Sequence, residues 1–200
     1  MQPARRDLFE TRADSITVTH TVAGSPRREE TEAFIRASFA RHYGADVSVF
    51  APHLLLIEQQ QSIVAATGWR AAEGDALFLE RYLDLPVEQA LARLAKQEVR
   101  REKIVEVGNM AAEKPGGTVQ IVRALTAHLD RLGYEWVVFT ATRELVGIFN
   151  RLGLPLLAIA AADPARLGDA VGAWGRYYET QPVVVAGRIR RASERIGRHS

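Results

Sequence analysis

From Ser15 to Ala23 (SITVTHTVA) apolar and polar residues alternate, the pattern of a half-buried strand. After Ser25 the spacing becomes helical. Phe34, Ile35, Phe39 and Tyr43 share one face, Ser25 and Pro26 suit the N-cap and first helical position, and Gly44 suits the end. His53–Gln59 and Ile63–Arg70 are apolar runs divided by a polar tip, which predicts a hairpin. Leu77–Leu83 is apolar but too short to assign. Asp84–Arg100 predicts a helix with Val87, Leu91, Leu94 and Val99 inward. Ile104–Ala111 predicts a strand, and Thr118–Leu132 a helix with Ile121, Val122, Leu125, Leu129 and Leu132 on its core face. Glu135–Ala141 (EWVVFTA) has no polar face and predicts a central strand. Thr142 suits the cap of a short helix carrying Leu145, Ile148, Phe149 and Leu152, stopped by Gly153; strands at Leu156–Ala161 and Pro182–Ala186 follow. This order predicts an α/β fold: a mixed, mainly antiparallel sheet containing one right-handed parallel strand–helix–strand unit, with helices on both faces.

Composition narrows the picture. Two hundred residues, 47% apolar and 25% charged, suit one soluble domain over 15–187, with residues 1–14 as a flexible N-terminus. Arg188, Arg190, Arg191, Arg195 and Arg198 stand against Glu194 alone, so 188–200 reads as a basic, solvated tail. The absence of cysteine excludes disulfides and thiolate zinc sites and fits a reducing compartment. The opening MQPARRDLFETRAD lacks the apolar core of a secretory signal, and the apolar run near Leu154–Ala162 is too short to span a bilayer. A cytoplasmic location without stable membrane insertion is expected. A net charge of +2 gives no ground for a nucleic-acid partner.

Candidate chemistry concentrates between Ile104 and Leu132. Glu106 is a carboxylate between Val105 and Val107, and such a setting strips hydration and raises the pKa toward that of a general base. A buried glutamate paired with an arginine, with no catalytic role, fits the same spacing. Glu106 and Asn109 fall on opposite sides of an ideal strand, but a bulge at Gly108 would bring them to one side and open a slot beside the strand. Lys114-Pro115-Gly116-Gly117-Thr118 precedes a helix. Its glycines and helix N-terminus suit a diphosphate, although Pro-Gly-Gly is also a common turn. Neither GxxxxGK[ST] nor GxGxxG occurs. Gly68-Trp69-Arg70 with Glu80, Arg81, Asp84 and Glu88 form a polar group in apolar surroundings; Asp84 equally suits a helix cap. His20, His42, His53, His128 and His199 have no metal-ligand spacing, and no metal is expected. Trp174–Tyr178 is an aromatic stripe suited to core or pocket wall.

Taken together, HYGADVSVFAPHLL, ATGWRAAEGDALFLERYLDLPVEQ, IVEVGNMAAEKPGG, WVVFTATRELVGIFNRLGL, DPARLGD and WGRYYETQPVVVAG resemble the thermostable hemolysin family, over about Thr31 to Gly187. That family looks like a relative of the GNAT acyltransferases and of the acyl-homoserine-lactone synthases. The resemblance implies a GNAT-like sheet whose fourth strand, around Glu106, Gly108 and Asn109, splays from Trp136–Ala141 to admit an acyl-thioester arm. It implies catalytic roles for Glu106 and Asn109. Met110, Lys114, Gly116, Gly117, Thr118 and Asn150 would then contact the cosubstrate, and Trp69, Arg70, Glu80, Tyr82 and Asp84 the acceptor. The usual GNAT loop, Gln or Arg-x-x-Gly-x-Gly or Ala, is not matched. Phe149 and Asn150 stand where those enzymes often carry an acidic tyrosine. The implied activity is N-acyl transfer from an acyl thioester, on coenzyme A or an acyl carrier protein, to a small-molecule amine, with a homodimer as a candidate assembly. The rival expectations are a GNAT-like ligand-binding or interaction module without catalysis, and a membrane-lytic protein; no span, signal or basic amphipathic helix supports the second.

Overall fold

The alternating run at the start pairs with the hairpin that follows the first helix, and the rest of the sheet builds outward from that hairpin. The computed structural model describes residues 16–113, 116–190, 192 and 194. In chain order the elements are β1 (Ile16–Thr21), α1 (Arg28–Tyr43), β2 (His53–Gln59), β3 (Ser62–Ala71), α2 (Val87–Ala95), β4 (Ile104–Ala112), α3 (Gly117–Arg131), β5 (Trp136–Ala141), α4 (Arg143–Arg151), β6 (Leu157–Ala161) and β7 (Val183–Arg188). Short 3₁₀ segments lie at Phe78–Tyr82, Arg101–Lys103, Pro164–Trp174 and Tyr177–Thr180. The strands form one sheet in the order β1-β2-β3-β4-β5-β7-β6, and only β4 and β5 run parallel. This is the expected mixed, mainly antiparallel α/β architecture.

Side-chain alternation along the strands assigns the helices to faces. Leu54, Leu56, Ala66 and Ala111 pack with Ile35 and Phe39 of α1, while Ile104, Val138 and Val184 pack with Leu79, Val87 and Leu91 of the 3₁₀ segment and α2. The alternate residues Leu55, Val105, Val107, Phe139 and Val185 turn to the other face, against Val122, Leu125 and Leu129 of α3 and Phe149 of α4. The hairpin turn is Gln60-Gln61, both at positive φ (51° and 63°), which lets a two-residue loop match the strand twist.

Several boundaries differ from expectation for local reasons. Ser25 does not cap α1: its hydroxyl accepts the Val22 N–H (3.0 Å), and Arg27, at φ 68°, precedes the helix instead. Helix α2 has nine residues rather than seventeen, because Leu85 before Pro86 is barred from the helical region and Lys96 (φ 54°) turns the chain out. Val99 is therefore buried from a loop, and Leu94 is 45% exposed. Leu132 lies past the end of α3 and is 52% exposed, off the expected core face. Thr142 caps α4 by accepting the Leu145 N–H at 3.3 Å.

Candidate active site

Strands β4 and β5 part company after a short contact. They pair only across Ile104–Glu106 and Trp136–Val138. Beyond that point β5 stays bonded to β7 and β4 to β3, so each leaves one backbone edge unpaired among the described residues. The bulge responsible sits one residue later than Gly108. Gly68 pairs with Gly108 and Ala66 with Ala111, so two steps on β3 oppose three on β4. The extra residue falls at Asn109–Met110, and Asn109 takes φ 50°. The side alternation inverts there, which turns the Asn109 side chain toward the α1 face, shared with Glu106, and sends Met110 toward α3. A cleft of about 510 Å³ opens at the split, bordered by Glu106, Asn109, Phe139, Thr140 and Leu145.

Glu106 is 7% exposed at the mouth of this split. Its Oε2 accepts the Phe78 N–H (2.9 Å) and its Oε1 the Leu79 N–H (2.8 Å), so it closes the N-terminus of the 3₁₀ segment. Arg70, its register partner on β3, places Nε 3.7 Å from Oε2. Burial pushes the carboxyl above the ordinary carboxylate range, and the two N–H donors and Arg70 oppose that without cancelling it. The remaining lone pair on each oxygen leaves room for a proton from the cleft.

Asn109 is held from the other side. Its Oδ1 accepts the Ala51 N–H (2.9 Å), and its Nδ2 donates to the Val49 carbonyl (3.4 Å). The amide therefore clips the α1–β2 loop onto the bulge, with both its oxygen and its nitrogen engaged there. Gly68 makes this approach possible: a Cβ there would lie 2.7 Å from Ala51 Cβ and 3.0 Å from Asn109 Oδ1. Gly68→Ala is expected to cost about 1–3 kcal/mol through overpacking, measurable by denaturant melts.

At the far end of β4, Gly116 (φ 86°) introduces α3. Gly117 packs against Ala112 and the Val64 carbonyl, where a Cβ would meet atoms at 3.0 and 3.2 Å. Thr118 and Met110 border the cleft, as do Thr142, the cap of α4, and Leu145 and Ile148 within that helix. Lys114 lies outside the described residues.

The other expected contacts divide. Arg70 and Tyr82 line the cleft, and the Tyr82 hydroxyl meets that of Tyr178. Trp69 does not: strand alternation turns it to the α3 face, stacked on His53 at 4.0 Å and flanked by His20, His128 and Tyr134. Glu80 turns away from the cleft to accept from Leu77 N, Val87 N and Arg101. Asp84 is 84% exposed, pairs with Arg166 and neither caps α2 nor borders the cleft. Asn150 is exposed near the C-terminal end of α4, whereas the cleft takes residues nearer that helix's start. Two further features border this region, the first partly legible in the sequence and the second not. Tyr43, Trp174, Tyr177 and Tyr178 form an aromatic wall, of which the Trp174–Tyr178 stripe was the visible part. A second, apolar cavity of about 300 Å³ lies on the α3 face, bordered by Val122, Leu125 and Leu129 and sharing Val107, Met110 and Phe139 with the cleft. Among the described residues no group of His, Asp and Glu is placed to hold a metal, and no helix is long and apolar enough to cross a membrane.

A family model for the thermostable hemolysin matches residues 21–193. The chain belongs to the thermostable hemolysin family. Among curated proteins, none matches this family member in sequence. Solved structures with the same fold include FeeM, an N-acyl amino acid synthase from uncultured soil microbes (TM-score 0.61, 11% identity, 92% of this chain and 96% of that one). The acyl-homoserine-lactone synthase LasI is similar (TM-score 0.59, 14% identity, 88% and 91%). So is the CoA-dependent acyl-homoserine-lactone synthase BjaI, solved with SAM and isopentyl-CoA (TM-score 0.59, 13% identity, 90% and 87%). The thermostable hemolysin fold is thus GNAT-like.

Proposed function

We propose that the protein is an N-acyltransferase that moves an acyl group from a thioester, on coenzyme A or an acyl carrier protein, to an amine. The observation that carries this reading is the split between β4 and β5 with a buried carboxylate at its mouth. An extended thioester arm fits between two strand edges that each retain unpaired backbone groups. The carrier's phosphates lie toward the N-terminus of α3 at Gly116–Thr118, where helix N–H groups and dipole favour an anion. The amine gives a proton to Glu106 and attacks the thioester carbonyl. An N–H on the free edge of β4 holds the oxyanion. The C–S bond then breaks, and solvent supplies the proton that the departing thiolate takes.

The apolar cavity beyond Val107, Met110 and Phe139 supports a chain longer than acetyl. Each methylene buried there contributes about 0.8 kcal/mol, roughly four-fold in affinity, until the space is full. The fold of FeeM, LasI and BjaI, whose names describe N-acyl amino acid and acyl-homoserine-lactone synthesis, favours the same chemistry. The test is thiol release from acyl-coenzyme A and acyl carrier protein thioesters of increasing length, with amide product identified by mass spectrometry. Octanoyl or longer thioesters are expected to outpace acetyl. Tight thioester binding without product across an amine panel would instead make the protein a binding module.

A further inference from the structure

Many arginines of the described chain are engaged: Arg27, Arg28, Arg41, Arg101, Arg166 and Arg188 each sit against a carboxylate. Arg70 and Arg81 differ, and both line the cleft. Neither side chain donates a hydrogen bond to a described residue. Arg70 is 30% exposed, and its one carboxylate neighbour among the described residues, Glu106, is at 3.7 Å, outside hydrogen-bond reach. Each Glu106 oxygen is held by a backbone N–H, and at 3.7 Å the carboxylate pairs with Arg70 by charge and leaves the donors of the fork unused. Arg81 rests over the Phe78 ring, 4.9 Å from its centroid, with no described carboxylate within an ion-pair distance. A half-buried guanidinium with unused donors, sharing its cleft with an exposed one on the segment that Glu106 holds, is a receptor for a planar anion.

Their position identifies which ligand brings that anion. Arg70 stands opposite Glu106, near the start of β4, whereas the start of α3 packs on Ala112. The same span on β3, from Arg70 to Ala65, is five strand steps, about 17 Å. Phosphates at α3 are out of reach of Arg70, so the anion belongs to the acceptor. We propose that the acceptor is an α-amino acid, with its carboxylate held by Arg70 and Arg81 and its amine at Glu106. The 3.7 Å between Arg70 Nε and Glu106 Oε2 suits an amine and a carboxylate borne on one carbon. Longer spacings would push one of them off its partner. The aromatic wall that includes Trp174 and Tyr178 is then free to border the amino acid's side chain. This inference rests on the acyl-transfer reading and narrows it.

The test uses the full chain with an acyl thioester and matched pairs of acceptors that differ only in the carboxylate: phenylalanine against phenethylamine, leucine against isopentylamine. The amino acid of each pair is expected to have at least ten-fold higher kcat/KM. Arg81→Met is expected to cut that ratio about ten-fold by raising the amino acid's KM, and Arg81→Lys to restore part of it. Equal use of both members, or an unaltered ratio in Arg81→Met, overturns the carboxylate site and leaves acyl transfer standing. Absence of thiol release with every acceptor overturns both.

Discussion

Glu106→Gln is expected to lower turnover by about 10²–10⁴-fold, the usual contribution of a positioned general base, while acyl-thioester binding persists. The pH dependence distinguishes this from damage. Burial raises the Glu106 pKa, so the wild-type rate climbs as pH passes through that raised value and then levels. The glutamine variant loses that limb. It also carries a structural cost. Phe78 and Leu79 both donate to Glu106, and an amide offers one oxygen to two N–H groups. One of them is left facing an NH₂, at about 1–3 kcal/mol, so a modest fall in melting temperature accompanies the lost activity. The linkage runs the same way. A folded pKa above the unfolded one means the native state binds more protons, so Glu106's contribution to stability is fully present below the unfolded pKa. It is lost as pH rises through the folded value. The variant should therefore be relatively less destabilised at neutral pH than in acid. A rate that is unchanged in size and in pH profile removes Glu106 from the mechanism.

Arg101→Met is expected to cost about 2–4 kcal/mol, though Arg101 lies outside the cleft. Its Nη1 lies 2.7 Å from both Glu80 and Glu88, its Nη2 donates to Glu80 (2.9 Å), and its Nε donates to the Ala72 carbonyl (2.7 Å). Removing it leaves two partly buried carboxylates without their cation. The Arg101 guanidinium holds the Glu80 carboxyl down to about 2, helped by the Val87 and Leu77 N–H groups. A depressed folded pKa contributes stability above the unfolded value of about 4.5, which is lost as pH falls toward 2. Melting temperatures between pH 2 and 7 should fall on the acid side in the wild type and be lower and flatter in the variant. The same cluster braces Phe78–Tyr82, the segment that supplies both N–H donors to Glu106 and carries Arg81 and Tyr82. Turnover should therefore fall along with stability. A melting profile like that of the wild type would show that the cluster does not brace the segment.

The cleft's parts were unequally visible in the sequence. Glu106 stands out because a carboxylate between valines in a strand must be buried, and burial makes it consequential. The bulge was legible in kind from Gly108, but its place was not. Which residue absorbs the extra step depends on the β3 register and on Asn109 finding Ala51 and Val49, contacts 58 and 60 residues away. Trp69, Glu80, Asp84 and Asn150 were read as site residues from polarity or resemblance. Strand parity sends Trp69 to the other face, Arg101 claims Glu80, Arg166 claims Asp84, and the helix turn leaves Asn150 in solvent.

By itself the sequence determined the order of the strands and α-helices, the parallel unit, and a buried carboxylate before a glycine turn, because apolar periodicity and turn chemistry act between near neighbours. Only the tertiary structure decided where β4 leaves β5, what occupies each oxygen of Glu106, and that Arg70 and Arg81 stand in the cleft without hydrogen-bond acceptors among the described residues. Those depend on hydrogen bonds and charges brought together from distant parts of the chain, and the pattern along a single segment carries no record of them.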